Sequence, residues 1–223
     1  MEQFLLRLSA ICGEYDRDDE SQRRDLGEKI SRSLGVVANS LCLLEKADCT
    51  FDQLISRRPG LLGTEHLVEL DILDLRVSKI TRPPAFGLEP YVRKGDEVIQ
   101  PSGKAFSQPG MIEMRHGSAL GYLERWVESN RVFGDDVRLN SVIEWSDGTH
   151  SFGVTQPLRG GTAASDSEIL KYFLSQGWDD MTRRAGRAAF YHFGWNLLAV
   201  DVEPRNCFIH DETVFPFHVV LSQ

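Results

Sequence analysis

A chain of 223 residues with 41% hydrophobic content can bury one substantial core or two small lobes, and it contains no internal repeat or low-complexity tract. Its formal charge of −8, from 25 Lys and Arg against 33 Asp and Glu, creates no global positive field, so nucleic acid is not the expected partner, although a local basic patch stays open. Four cysteines without a C-x-x-C pair, an N-terminus without a basic leader region and no apolar run near ~18 residues lead us to expect a cytoplasmic chain with no membrane partner.

The first 58 residues read as helices. Phe4, Leu5, Leu8 and Ile11 share one helical face, and "LGEKISRSLGVVANSLCLLEKA" continues the spacing through Leu26, Ile30, Leu34, Val37, Leu41 and Leu44. "CTFDQLISRR" predicts a shorter helix that Pro59 and the following glycines end. Past Gly63 the period changes, and "EHLVELDILDLRVSKIT" predicts two strands with a turn near Asp71 to Asp74. In the second of these, Leu75, Val77 and Lys79 alternate with Arg76, Ser78 and Ile80. Lys79 thus shares a face with apolar residues, and either reaches out to solvent from an edge strand or aims its charge into a cleft.

Residues 82–110, with several Pro and Gly, predict an extended loop with one short hairpin. "GSALGYLERWVESNRVFG" predicts a helix that turns Leu120, Leu123, Trp126 and Val127 inward. "DDVRLNSVIEWSDGTHSFGVTQPL" predicts two strands joined at Asp147-Gly148, with Pro157, Gly160 and Gly161 breaking the chain afterwards. Ser165 and Asp166 can cap a helix over "DSEILKYFLSQG", and the basic "MTRRAGRAAFYHF" reads as helical. Arg183, Arg184 and Arg187 then form a solvated face, and Trp126, Trp145, Trp178 and Trp195 are expected as core anchors. The six histidines show neither H-E-x-x-H nor paired Cys/His spacing, so no dedicated zinc site is expected; His210 with His218 could hold a softer ion if the fold brings them together.

Near the end, "VDVEPRN" sets Asp201 and Asn206 five residues apart, the spacing of the D-L-x-x-x-N part of the protein-kinase catalytic loop. Apolar "NLLAV" before it and "CFI" after it frame the loop between strands. The plainer reading is an Asx-type turn, since Asp and Asn both stabilise loops locally.

In their order along residues 63–223, "GTEHLVEL", "RVSKIT", "YLERW…NRVFGDDVRL", "FGVTQP", "VDVEPRN" and "VFPFHVV" together resemble the kinase-like domains found in polyvalent proteins of phages and mobile elements, within the protein kinase-like superfamily. The resemblance implies an α+β fold: an antiparallel N-lobe sheet with one packed helix, a reduced C-lobe and extra N-terminal helices. The implied segments are 1–58, 59–157 and 158–223. By the same resemblance Lys79 pairs with nucleotide phosphates, held by a helix carboxylate for which Glu124 is the candidate and Glu128 and Glu113 stay open. Gln156 and Leu158 would be hinge positions beside an adenine, Asp201 would orient the attacking hydroxyl, and Asn206 would hold a metal through its carbonyl oxygen.

The departures from the pattern matter as much. His218 stands where the metal-binding Asp of D-F-G is expected, and imidazole is a poor ligand for Mg²⁺. No glycine follows it, five residues remain after it so no activation segment is expected, and only Gly60 and Gly63 stand in for a G-x-G-x-x-G loop. The expectation is therefore a pseudokinase-like protein whose nucleotide cleft takes ATP with Mg²⁺ or Mn²⁺ and whose phosphotransferase activity is weak or absent. Two alternatives stand beside it: an active small kinase with an unusual metal site, and a non-catalytic module that binds a protein partner.

Overall fold

The computed structural model describes residues 1–12, 20–57, 62–92, 97–99, 105–107 and 112–222. The helix-stop signal at Pro59 and the glycine at Gly60 lie outside the described residues, as do much of the predicted loop after residue 92 and the side chains of Leu26 and Arg184.

In chain order, α1 (Glu2–Cys12) and α2 (Glu20–Ser40) precede β1 (Leu44–Lys46), α3 (Phe51–Arg57) and the hairpin of β2 (His66–Asp71) and β3 (Arg76–Thr81). Next come β4 (Leu88–Val92), the small pair β5 (Glu97–Ile99) and β6 (Ala105–Ser107), and β7 (Ile112–His116), which pairs with β4. Then α4 (Ala119–Phe133), β8 (Arg138–Glu144) and β9 (His150–Pro157) follow. The remainder runs through β10 (Thr162–Ala163), α5 (Asp166–Ser175), β11 (Asp179–Asp180), α6 (Thr182–Ala185), β12 (Ala189–His192), β13 (Leu197–Val200), a 3-10 turn at Pro204–Asn206, β14 (Cys207–His210), β15 (Thr213–Pro216) and β16 (Val220–Ser222). The fold is α+β, and it divides into two compact units: Met1–Leu88 with His116–Arg159, and Glu89–Arg115 with Gly160–Gln223.

The first unit is built on a five-stranded sheet in the order β1-β8-β9-β3-β2, antiparallel except for β1, which pairs in parallel with β8. Alternation decides its faces. Val77, Lys79 and Thr81 of β3 are buried while Arg76, Ser78 and Ile80 are half-buried, as the sequence period predicts. The apolar side chains of one face join α1, α2 and α4 in a single core through Phe4, Leu8, Leu34, Leu123, Trp126, Val142 and Phe152. Tyr122 of α4 stacks on Phe152 at 5.8 Å, and Phe4 of α1 meets the same ring edge-on at 5.9 Å. A second cluster, of Phe51, Leu67, Ile143 and Trp145, places α3 against the sheet. Thr50 and Gln53 cap α3 reciprocally, at 3.0 and 3.2 Å, and Ser118 caps α4 by accepting from the N–H of Gly121 at 3.0 Å.

The second unit contains the three-stranded sheet β10-β14-β15 and the four-stranded sheet β11-β12-β13-β16. Ile112 and Met114 of β7 pack on Ala185, Ala189, Val200 and Val220. Phe173 of α5 stacks on Phe190 at 4.4 Å, beneath the edge of Trp178.

Three expectations are corrected. Helix α2 ends at Ser40 instead of running on through Leu44, because Cys42 takes a left-handed φ of 56° and the chain turns into β1. The stretch "MTRRAGRAAFYHF" is helical only over Thr182–Ala185: Gly186, at φ 71°, closes that turn, and Ala189–His192 extend as a strand against β13. Trp126, Trp145 and Trp178 are buried as expected, but Trp195 is exposed, with its ring stacked on His192 at 3.9 Å.

Candidate functional site

Lys79 sits mid-strand on the core face of β3 and is only 5% exposed. Its Nζ donates to Oε1 of Gln156 on the neighbouring β9 at 2.8 Å and lies 5.2 Å from the ring centre of Trp126. Burial disfavours the ammonium, and the Arg125 guanidinium disfavours it further; together they pull Lys79 down from 10.5 to about 7, against the opposing carboxylates of Glu65 and Asp135. The lysine therefore stands near its midpoint at neutral pH. An anion placed against it would hold it charged.

The carboxylates that act on Lys79 come from a loop before β2 and from the turn after α4, and its hydrogen-bond partner is an amide. This differs from the expected arrangement. Glu124 is a half-buried residue of α4 flanked by buried Leu123 and Arg125. Of the other two candidates, Glu128 pairs with Arg131 and Glu113 accepts from the Tyr91 hydroxyl at 2.6 Å. What α4 turns inward is Arg125. Its Nη1 donates to Glu65 at 3.0 Å, its guanidinium lies 4.8 Å from the Trp126 ring centre, and its Nε and Nη2 have no hydrogen-bond partner among the described residues. Glu65 also accepts from the N–H of Leu88 at 2.6 Å. Asp135 accepts from the Ser129 hydroxyl, and burial lifts its carboxyl to about 6. His66 is hydrogen-bonded to Tyr122 through Nε2 at 2.9 Å, and burial holds its ring well below 6.5, so it is neutral at pH 7.

Sequence reasoning missed Glu65, His66, Arg125 and Asp135. One signal was available: Tyr122, Arg125 and Ser129 fall at helical spacing on the buried face of α4, which puts a charge where only apolar residues were sought. Beside Glu65 the first unit also holds a cavity of about 640 Å³ lined by Arg82, Pro83, Pro84, Leu88 and His116, which no motif announced.

The expected hinge positions behave differently from one another. Gln156 is buried and spends its side-chain oxygen on Lys79. The N–H of Leu158 donates to the Leu75 carbonyl at 2.7 Å, so that donor is already engaged.

Asp201, Asn206 and His218 belong to the second unit. The structure brings the first two together. Asp201 leaves β13 with a left-handed φ of 58°, a conformation that carries strain for a non-glycine residue. Asn206 is buried at the end of the 3-10 turn, and its Nδ2 donates both to the Asp201 carbonyl at 2.7 Å and to its carboxylate at 2.9 Å. Both amide hydrogens are thereby used, while Oδ1 makes no hydrogen bond among the described residues. Arg205 donates to the other carboxylate oxygen at 2.9 Å and also pairs with Glu203 at 3.1 Å. The Asn206 carbonyl accepts from the N–H of Phe217, which ties the loop to the segment carrying His218. His218 is half-buried beyond β15, and His210 is exposed at the β14–β15 turn beside Asp211.

The donor set is uneven for a divalent cation. The Asn206 Oδ1 is a hard oxygen donor suited to Mg²⁺ or Mn²⁺, whereas the His218 imidazole suits Mn²⁺ poorly and Mg²⁺ worse. Comparison of the chain with known protein families, with curated proteins and with solved structures gives no match.

Proposed function

We propose that the chain is a diverged kinase-like protein that binds a nucleotide and has weak or absent phosphotransferase activity. The observation that carries this reading is the Asp201–Asn206 pair, in which a strained Asp is fixed by a buried Asn whose carbonyl oxygen is left over. A plain Asx turn asks for the hydrogen bonds but not for that spare oxygen. The buried lysine of a largely antiparallel sheet covered by helices supports the same reading, because phosphoryl binding requires positioned positive charge more than covalent chemistry. In this reading Lys79 meets the phosphates, Asp201 orients a hydroxyl, and Asn206 contributes one oxygen to the metal that accompanies the nucleotide. Weak activity follows from His218, which brings no formal negative charge to that metal, and from a lysine braced by Gln156 in place of a carboxylate.

Thermal unfolding with ATP, ADP or GTP, each with Mg²⁺ or Mn²⁺, tests the binding. A nucleotide at ~100 times its Kd stabilises by roughly 2.7 kcal/mol, and Lys79→Met and Asn206→Ala should each shrink that shift. No shift with any of the three would overturn the proposal and leave the interaction-module reading. Transfer from radiolabelled ATP that is robust with Mn²⁺ and lost in Asp201→Asn would instead make the chain an active kinase.

A further inference from the structure

The β2–β3 hairpin turns through residues 71–75, and its tip is apolar where turns are ordinarily polar. Leu73 is 95% exposed, Ile72 73%, Leu75 62% and Leu70 57%. Leu158, whose N–H donates to the Leu75 carbonyl, adds another exposed aliphatic side chain to the same place. The turn does not need these side chains. Its geometry is fixed by Asp71, whose Oδ1 accepts from the N–H groups of Leu73 and Asp74 at 3.0 and 3.1 Å, and by the left-handed φ of 51° at Leu75. A single exposed leucine calls for no explanation, but five exposed aliphatic residues gathered at one hairpin tip are a concentration of the kind that marks an interaction site.

The charge around the patch narrows the choice of occupant. Asp71 and Asp74 stand within the turn and Glu69 precedes it, while the two adjoining bases are engaged elsewhere, Arg76 by Asp136 at 3.2 Å and Arg159 by the Gly134 carbonyl at 2.8 Å. Two copies of this chain meeting tip to tip would set these carboxylates against one another, and an anionic lipid surface would be repelled in the same way. A segment that interleaves apolar side chains with Lys or Arg satisfies both the patch and its rim. We propose that the tip of the β2–β3 hairpin, together with Leu158, is a docking surface for an amphipathic basic segment of a partner protein. This inference is independent of nucleotide binding.

A fluorescein-labelled synthetic peptide of alternating Leu and Lys, followed by anisotropy against the full chain, is the probe. Leu73→Ser and Ile72→Ser leave the charge unchanged and the core untouched, and each should weaken binding roughly tenfold. Asp74→Lys should weaken it as well, whereas Leu174→Ser, an exposed leucine on α5, should leave it unaltered. The proposal is overturned if Leu73→Ser binds the peptide as well as the parent chain, or if a Leu/Glu peptide binds equally tightly. It is also overturned if sedimentation shows a dimer that Leu73→Ser dissociates, since the tip would then meet a second copy.

Discussion

Lys79 shows how a single side chain can carry both a cost and a use. Its ordinary value of 10.5 falls to about 7 in the folded chain, chiefly through burial. Between those two values the unfolded chain binds the extra proton, so the free energy of unfolding rises with pH across roughly pH 7 to 10.5. Below pH 7 both states are protonated, and the burial of charge opposes folding in full. Urea midpoints of the parent chain should therefore increase from pH 7 to pH 9, and in Lys79→Met that increase should flatten; an equal slope in the two proteins would show that another group sets it. Asp135 acts in the opposite sense at lower pH, since a carboxyl lifted from 3.8 to about 6 loses its advantage as pH rises through that range. The alternation of Val77 and Lys79 placed the lysine on the apolar face of its strand, but left open whether it reached solvent or pointed inward. Its surroundings were not legible, because Glu65, Arg125, Asp135 and Gln156 come from four separate elements or loops and no local spacing joins them.

Among the elements, those with explicit end signals were read well. Ser165 and Glu168 form the capping box of α5, and Ser118 with the left-handed Gly134 bounds α4. Helix α2 was read too long for a definite reason. It closes with a Schellman motif, in which the N–H of Leu43 donates to the Ala38 carbonyl at 2.9 Å and that of Cys42 to Asn39 at 3.2 Å, but the left-handed position that usually holds Gly is occupied by Cys42. The apolar spacing of Leu41 and Leu44 then mimics another helical turn. Replacing Cys42 by Gly relieves the left-handed strain of a side-chain-bearing residue, and we expect a gain of about 1 kcal/mol, visible as a higher urea midpoint. A lower midpoint would show that the cysteine side chain contributes packing that outweighs its backbone strain. The same over-extension appears at α6, because Arg-rich composition favours a helix while Gly186 and the pairing of Phe190 with Ala199 impose a strand.

For the whole molecule, the N-terminal helices are integral to the first unit's core. Leu8 is fully buried there with Leu34 and Trp126, and no described helix is long and apolar enough to cross a membrane. Leu8→Ala should cost about 2–5 kcal/mol in chemical denaturation, as expected for a truncation in a close-packed interior. A cost below 1 kcal/mol would mean that α1 is only loosely attached. The mixed α+β composition was legible from the periods of the segments, but the division into units was not, since both units are discontinuous in sequence and only long-range packing joins their parts. That discontinuity has a consequence for biosynthesis. Strand β9 is made long after α1 and α2, and β16 long after β7, so each hydrophobic interior lacks a partner strand until those distant segments emerge. The helices α1 and α2 emerge long before the sheet that covers them, and Ile112 and Met114 long before Val220. A nascent chain of this design carries uncovered apolar faces until those strands arrive, a state in which general chaperones that hold such surfaces would engage it on the ribosome.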